Sequence, residues 1–290
     1  MIFDQKYFND IIFKIRNERI QKRKGDHMKV AVLIKEVPAT DKVKMDEKTG
    51  TMIRSEMESE LNPLDTYAVE EAVRLKERSN DVTVSVISMG PPNAVKSIKE
   101  ALAMGCDEGY LVSDRVFAGS DTLATAYTLS AALKKLGPFD LIFAGERATD
   151  GETGQVGPSV ATQLGLPVVT YVCELEEIRD GFVRVKRTIE GGKETIKVKM
   201  PVLLSVVKEI NEPRIPNLNG KIAAKSKEIP LITAEDINVP RDKLGLSGSP
   251  TRVVKVFYPK LSRDGKIIKA KSAEEAVEEL IEFMKEKGVI

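Results

Sequence analysis

Hydrophobic and polar positions follow two alternating periods along most of this chain. Residues 29–35 form a β-branched apolar run, and residues 63–78 carry apolar side chains at helical spacing opposite a charged face. The first pattern predicts a buried strand and the second an amphipathic helix. The same order recurs, predicting strands at 82–88, 109–112 and 141–144 and helices at 91–104 and 120–136. Repeated strand–helix units of this size predict a parallel sheet covered by helices on both faces.

The period changes after Pro167. Three strand-like runs follow, separated by the turn pairs Asp180-Gly181 and Gly191-Gly192, and they predict an antiparallel meander. Residues 201–207 predict one more buried strand. We therefore expect an α/β fold: an open, doubly wound, mostly parallel sheet of Rossmann-like type, with an antiparallel β annex and an extended C-terminal arm.

Composition divides the chain into three regions. Residues 1–27 place apolar side chains at helical spacing among many basic ones, so this extension is either dispensable or an amphipathic helix that docks on a partner or an interface. Residues 28–220 carry the strand–helix pattern. Residues 221–290 hold a connector rich in proline, glycine and serine and a helix predicted at 272–287. We expect this last region to wrap a partner subunit, because it has too few apolar residues to fold alone.

Charge and residue counts exclude several classes of function. The 290 residues contain 45 Lys and Arg against 44 Asp and Glu, so no net field recruits nucleic acid. One histidine and two cysteines, Cys106 and Cys173, exclude a His-based triad and a cysteine-rich metal site. The longest uncharged run is interrupted by prolines, so we expect no transmembrane segment. Redox chemistry would therefore need a bound cofactor, with no catalytic side chain and no metal.

The densest candidate site is the segment 145–158, GERATDGETGQVGP, which follows a predicted strand. Its small residues let the backbone approach a ligand, Thr153 and Gln155 offer hydrogen bonds, and the helix start downstream presents N–H groups suited to a phosphate. Asp150 or Glu152 is suited instead to accept from ribose hydroxyls. An ordinary capped connection has the same spacing, and the segment matches neither a Walker loop nor the GxGxxG fingerprint.

Three other strand ends are expected at the same edge of the sheet. They are residues 33–37, 88–90 and 119–125. The switch point of a doubly wound sheet collects loops from several strands into one ligand-binding crevice, so we expect these segments to line it together with 145–158.

Several long segments resemble the beta subunit of the electron-transfer flavoproteins. The segments are VLIKEVP (32–38), NPLDTYAVEEAVRLKE (62–77), ALAMGCDEG (101–109), DGETGQVGP (150–158) and EGGKETIKVKMPVLLSV (190–206), followed by NEPR (211–214). The resemblance runs from Met28 to the mid-250s, and this number of ordered matches makes it specific. Residues before Met28 have no counterpart in the family pattern, and the end beyond Tyr258 diverges from it.

The resemblance implies an adenine-nucleotide-binding fold and a heterodimer with an alpha subunit that carries one flavin. The crevice of the beta subunit holds AMP as a structural ligand in the respiratory branch, or FAD that accepts a hydride from NADH in the electron-bifurcating branch. Carried over by position, the cofactor contacts fall at Leu33, Lys35, Asn62, Pro63, Leu64, Asp65, Met89, Gly90, Asp121, Thr122, Thr125, Asp150, Gly151, Glu152, Thr153, Gly154, Gln155, Val156, Gly157 and Pro158.

The segment 150–158 resembles the bifurcating type, because the respiratory loop has consecutive acidic residues and no VGP. Gly151 and Gly157 leave room for a diphosphate, and residues 120–125 resemble the segment beside the flavin in that branch. We therefore expect FAD here, with NADH as donor and the two electrons parting between the alpha-subunit flavin and a low-potential carrier such as ferredoxin. The alternative is AMP in an electron shuttle, with the glycines only tightening a turn.

Leu218 matches the anchoring leucine of the family's partner-recognition loop and lies at the end of a predicted exposed loop, residues 211–219. The alternative is a partly buried loop leucine. The resemblance also implies activity within a complex rather than as a stand-alone enzyme. Quinone oxidoreductase and ferredoxin-like subunits are the expected partners. We expect a cytoplasmic protein that reaches the inner face of the membrane only through those partners.

Two other functions compete with this interpretation. A related adenylating protein would need a pyrophosphate loop of the SGGxDS type near the first strand, and residues 33–40, LIKEVPAT, contain none. A structural assembly subunit would have an empty crevice, and purified protein would then release no nucleotide on denaturation.

Overall fold

The computed structural model describes residues 20–21, 27–39, 59–79, 81–252, 254 and 266–290. Ten of the described strands form one sheet, and two short ones form a separate antiparallel sheet. The strands are β1 (Ile20–Gln21), β2 (Met28–Ile34), β3 (Glu36–Pro38), β4 (Ser59–Leu61), β5 (Val82–Met89), β6 (Glu108–Val112), β7 (Leu141–Gly145), β8 (Val168–Arg179), β9 (Phe182–Ile189), β10 (Gly192–Lys199), β11 (Val202–Val206) and β12 (Leu231–Ile232).

Helices cover both faces of the large sheet. The described helices are α1 (Pro63–Arg78), α2 (Val95–Met104), α3 (Thr122–Leu136), α4 (Val156–Leu164), α5 (Leu218–Ser226), the short α6 (Ala234–Ile237) and α7 (Ala273–Glu286). All of them except α7, which has no buried residue, contribute to the two cores. Strand β2 shows how the two cores arise. Its Val30 and Val32 pack in the cluster with α1 and α2, whereas Ala31 and Leu33 pack in the cluster with α3 and α4. Because successive strand residues point to opposite faces, a continuous apolar run fills both cores.

The strand order is β10-β9-β8-β11-β7-β2-β5-β6-β12. The seven strands from β8 to β12 in this order pair in parallel, whereas β8 pairs antiparallel with β9 and β9 with β10. The predicted α/β class, the doubly wound parallel sheet and its antiparallel annex are confirmed. The annex continues the main sheet through β8, which is parallel to β11 on one side and antiparallel to β9 on the other.

The amino-terminal region differs from the prediction where it is described. Ile20 was placed on the apolar face of a helix, but Ile20–Gln21 is a strand that pairs in parallel with Ile178 and Arg179 of β8. Backbone hydrogen bonding to an available sheet edge outweighs helical spacing at these two positions. The rest of the proposed amphipathic segment, residues 1–19 and 22–26, lies outside the described residues.

The carboxy-terminal region begins differently from the prediction as well. The exposed loop ends at Asn217, whose side chain accepts the N–H of Gly220 at 2.8 Å and caps helix α5. The helix lies against α2 because Gly220 has no Cβ to meet the Ala103 carbonyl. The predicted domain boundary between residues 220 and 221 therefore falls inside a helix.

The residues after α5 also pack on the α/β domain. Strand β12 pairs in parallel with β6 at the edge of the sheet. Lys227, which follows α5, donates its ammonium to the carbonyls of Cys106 and Asp107. The predicted terminal helix is confirmed as α7, with Ser272 as its N-cap. That the region 221–290 wraps a partner subunit stays a prediction.

Candidate functional site

The chain reverses direction across the sheet between β2 and β7. From β2 it builds β5 and β6 on one side, and after α3 it returns to place β7 on the other side, with Leu33 paired to Ala144. A crevice opens beyond the carboxyl ends of two such strands because their connections leave in opposite directions. Both strands end here, β2 at Ile34 and β7 at Gly145.

The turn before α1 ties the two strand ends together. Asn62 is fully buried, and its N–H donates to the carbonyl of Lys35 at 2.8 Å. Its side-chain amide donates to the carbonyl of Arg147 at 3.0 Å and accepts the N–H of Thr149 at 3.2 Å. Through its backbone and its side chain, Asn62 thus holds the loop after β7 against the end of β2.

Asp65 lies beneath this turn, and its carboxylate accepts hydrogen bonds from both strands. Lys35 N–H donates to it at 2.8 Å, and Gly145 N–H and the Asn62 side chain also bond to it. Burial raises the pKa of Asp65 to about 7, although these hydrogen bonds and the Lys35 charge oppose the rise. The buried Asp65 carboxyl group therefore links the two strand ends through hydrogen bonds.

Gly145 is the residue that allows this close approach. A Cβ at this position would meet the Asp65 carboxylate and would lie 2.9 Å from the carbonyl oxygen of Leu64. Because backbone cannot yield as a flexible side chain does, only glycine fits where β7 passes the start of α1. The glycine directly after a buried strand is the signal by which the sequence marks this contact.

The loop after β7 combines a charged side chain, which pairs across the crevice, with left-handed backbone conformations. The Lys35 ammonium contacts both carboxylate oxygens of Asp150 at 2.6 Å, so the two segments meet across the crevice. Glu152 and Gly154 adopt left-handed backbone, with φ of 53° and 63°. A Cβ at Gly151 would meet no atom within 4 Å. The loop therefore turns sharply and leaves open space at residue 151.

Helix α4 begins where this loop ends. Gln155 occupies the N-cap position without capping the helix, and its side-chain oxygen accepts the Thr122 hydroxyl at 2.9 Å. The N–H groups of Val156 and Gly157 belong to the first turn, which has no carbonyl partners within the helix. Thr149 Oγ1 is buried without a hydrogen-bond partner among the described residues. This donor set, with the Lys35 ammonium, fits a nucleotide phosphate.

Comparison with protein families gives a match to the electron transfer flavoprotein domain over residues 49–237. The chain is 47% identical over 264 residues to the electron transfer flavoprotein subunit beta of Thermoanaerobacterium thermosaccharolyticum, covering 91% of this chain and all of that relative. The chain belongs to the electron transfer flavoprotein family. It is a beta subunit of this family, as its similarity to the whole length of that relative shows.

Two further relatives extend this result. The electron transfer flavoprotein subunit beta of Clostridium acetobutylicum is 44% identical over 263 residues, with 91% of this chain and all of the relative covered. The caffeyl-CoA reductase-Etf complex subunit CarD of Acetobacterium woodii is 43% identical over 263 residues, again with 91% of this chain and all of the relative covered. The second relative is by its name a subunit of a complex with a reductase.

Most of the predicted contact residues of this electron transfer flavoprotein subunit lie around the crevice. The strand ends bring Leu33, Lys35 and the turn 62–65 together with the loop 150–158. Met89 ends β5, next to β2, and Gly90 follows it, where its N–H donates to Val112 O at 3.1 Å. Pro63 begins helix α1, where its missing N–H costs nothing.

Three predicted residues have structural partners that the sequence did not reveal. The Asp121 carboxylate caps α3 and accepts two hydrogen bonds from Thr251, and Thr125 N–H donates to Asp121 O within the helix. An added Cβ at Gly157 would face Ala144 and Leu203, each 3.6 Å away, so this glycine faces the sheet. Direct cofactor contact through these positions stays a prediction.

The structure also adds site residues that are not among the predicted cofactor contacts, two of them within the candidate segment 145–158. Thr149 and Arg147 join the site through Asn62, and Thr251 reaches Asp121 from 130 residues along the chain. A Thr in a polar loop and a Thr in a connector carry no sequence signal of such pairing. Within the described ranges, no group of His, Cys, Asp and Glu is arranged to hold a metal ion. None of the described helices is long and apolar enough to cross a membrane.

Proposed function

We propose that this electron transfer flavoprotein subunit binds FAD in the crevice between β2 and β7 and takes part in electron bifurcation with NADH as donor. When bound, FAD would supply hydride acceptance and the transfer of single electrons. One observation carries the proposal: the loop 145–158 combines open space at Gly151 with a cationic and N–H-rich surface suited to a diphosphate.

The described residues have distinct tasks in this function. Lys35 and the first turn of α4 would neutralise phosphate charge, and the buried Thr149 hydroxyl would find there the partner it lacks. Asn62 and Asp65 hold the two strand ends at a set distance. This preorganisation spares the loop the entropy cost of ordering on binding. The chain itself contributes binding, orientation and electrostatics.

The choice of FAD over AMP is supported by the space at residue 151. A monophosphate needs one group of N–H donors, which the start of α4 already presents. The loop before that helix adds left-handed backbone at Glu152 and Gly154, and no atom lies within 4 Å of a Cβ placed at Gly151. A second phosphate would use this room, and with it a ring system beyond the adenosine.

We also propose that the chain acts with an alpha subunit, and that a quinone oxidoreductase and a ferredoxin-like protein exchange electrons with the pair. The relative named for a caffeyl-CoA reductase complex supports action within a larger assembly. Leu218, the first residue of α5, is 70% exposed and is proposed to anchor such a partner. The alternative, a partly buried loop leucine, does not agree with this exposure.

The test is the identity and number of nucleotides released on denaturation of the purified heterodimer. Two FAD per heterodimer, with bleaching of the flavin spectrum by NADH, is the expected result. One FAD and one AMP, with no bleaching by NADH, would overturn the proposal and indicate a structural nucleotide in an electron shuttle. Release of a single FAD alone would indicate an empty crevice in this subunit.

A matched pair of variants connects the released nucleotide to the crevice. Gly151→Val places a branched side chain in the open space and should reduce FAD to about one per heterodimer, since the second phosphate loses its room. Gly192→Val, at the start of β10 in the annex, is the matched control, because an added Cβ there also has no atom within 4 Å and the backbone is not left-handed. It should leave two FAD bound.

A further inference from the structure

The start of helix α3 is hydrogen-bonded to the loop 145–158, which we call the crevice loop. Asp121 is the N-cap of this helix, and one carboxylate oxygen accepts the N–H groups of Leu123 at 3.0 Å and Ala124 at 3.1 Å. The next residue, Thr122, donates its hydroxyl to Gln155 Oε1 at 2.9 Å. Since Gln155 immediately precedes α4, this hydrogen bond links the start of α3 to the start of α4.

The other carboxylate oxygen of Asp121 holds the connector that leads into the C-terminal arm. It accepts the N–H of Thr251 at 3.0 Å and the Thr251 hydroxyl at 2.9 Å. The N–H of Asp121 donates in turn to Ser249 Oγ at 2.8 Å. The carboxylate thus has four donors, two in α3 and two in Thr251. These bonds occupy the Asp121 side chain with structural partners.

The connector lies closely on the turn before α3. Leu246 N–H donates to Ala118 O at 3.0 Å, and Gly245 adopts left-handed backbone with φ of 54°. A Cβ at Gly245 would meet the Val116 carbonyl and would lie 2.9 Å from Ala118 O. The contact depends on glycine at this position, so the connector has a defined position rather than a loose one.

We propose that Asp121 and Thr122 are positioning residues. They couple the connector that leads into the C-terminal arm, bound through Thr251, to the crevice loop. Release of Thr251 would free the carboxylate, weaken the cap and loosen the first turn of α3. Thr122 would move with that turn, and Gln155 would lose its partner. A partner subunit that holds the chain beyond Arg252 would therefore order the loop at the start of α4. For the identity of the ligand that the crevice loop binds, this inference rests on the proposed function.

The test uses the full chain with its alpha subunit after removal of bound nucleotide. Backbone amide hydrogen exchange is measured by mass spectrometry for peptides spanning 150–160. Thr251→Val removes one bond on the arm side, and Thr122→Val removes the bond to Gln155. Each variant should accelerate exchange by about fivefold, the effect of losing one hydrogen bond. The double variant should be no faster than Thr122→Val alone, because both changes interrupt the same route.

Two controls separate this coupling from general loosening. Thr195→Val makes the same chemical change on exposed strand β10 and should leave exchange at 150–160 unchanged. Thr122→Ser retains the hydroxyl and should restore slow exchange. Unchanged exchange in Thr251→Val, or effects that add in the double variant, would overturn the inference. Coupling in a protein that releases AMP instead of FAD would refute the proposed function and leave this inference standing.

Discussion

The Lys35 ammonium lies 2.6 Å from both carboxylate oxygens of Asp150, which is 115 residues further along the chain. Lys35 directly follows β2, and Asp150 lies in the loop after β7. The pair therefore spans the crevice at the switch point of the sheet. Because Lys35 is nearly half exposed, solvent screens the pair, and its value for stability is small.

Lys35→Gln should weaken nucleotide binding while leaving the fold intact. We expect about a tenfold loss of affinity for FAD added to nucleotide-free heterodimer, because a charge-assisted contact to phosphate is lost. The free energy of unfolding should change by less than about 1 kcal/mol. Calorimetric titration and denaturant unfolding measure the two effects, and affinity should depend less on salt in the variant.

Lys135→Gln is the matched control for this variant, since Lys135 forms a similarly exposed ion pair with Asp236 away from the crevice. Its affinity for FAD should equal that of the wild type. Equal affinity in Lys35→Gln would instead show that this ammonium serves only Asp150.

Asp65 should make the unfolding free energy fall as pH rises. Its pKa in the folded chain, raised by burial to about 7, exceeds the ordinary value of 3.8, so the folded chain binds the extra proton between these pH values. The contribution is complete below pH about 4 and is lost as pH rises through about 7. Asp65→Asn should remove this slope when unfolding curves at several pH values are compared with the wild type.

Asp114→Asn provides a control of opposite sign. Hydrogen bonds from the N–H groups of Ala234 and Val116 hold the pKa of Asp114 below its usual range. Its contribution is present above the ordinary pKa and is lost as pH falls, so this variant should lose stability relative to wild type at neutral pH and not at acid pH. An unchanged slope in Asp65→Asn would contradict the assignment of the buried proton.

Gly145→Ala should destabilise the chain by about 2 kcal/mol, since the added methyl group meets the Asp65 carboxylate and the Leu64 carbonyl. The strand ends would have to separate, and the nucleotide should be lost with them. Gly151→Ala, with no neighbouring atom, should change the unfolding free energy by less than about 0.5 kcal/mol. Equal stabilities of the two variants in denaturant unfolding would refute the proposed close approach.

Arg214→Met should lower the unfolding free energy by about 2–3 kcal/mol, because the buried Glu70 carboxylate loses one of its cationic partners. Burial alone would raise the pKa of Glu70, but hydrogen bonds from Arg214 and Arg74 outweigh it and hold that pKa below its usual range. Arg214 Nε donates to Glu70 Oε2 at 2.8 Å and also bonds Glu77. This contact fixes the segment that leads to α5.

Arg184→Met tests the same change at a more exposed arginine, whose partner Glu176 keeps the Lys186 ammonium at 2.9 Å, and there the expected cost is below about 1 kcal/mol. Both variants are compared by denaturant unfolding at neutral pH. A cost in Arg214→Met as small as that in Arg184→Met would show that Glu70 is adequately paired by Arg74 alone.

Local pattern predicted the regular elements well and their ends less well. The helix predicted from residue 120 begins at Thr122, because Asp121 acts as its cap. The helix predicted from residue 91 begins with a 3₁₀ turn at Pro92–Ala94, and α2 follows at Val95. The short strands β3, β4 and β12 were not predicted. Two or three residues contain too little of a period to be recognised, and a distant partner selects them.

By itself, the sequence determined the succession of strands and helices, the change to an antiparallel annex and the family. The first two follow from local periods of apolar and polar residues, and the family follows from several long segments that resemble it in the same order. Only the tertiary structure decided which polar groups meet: Lys35 with Asp65 and with Asp150, and Asp121 with Thr251. These partners are 30, 115 and 130 residues apart. No local period relates such positions, so their contacts exist only once the sheet brings its strand ends together.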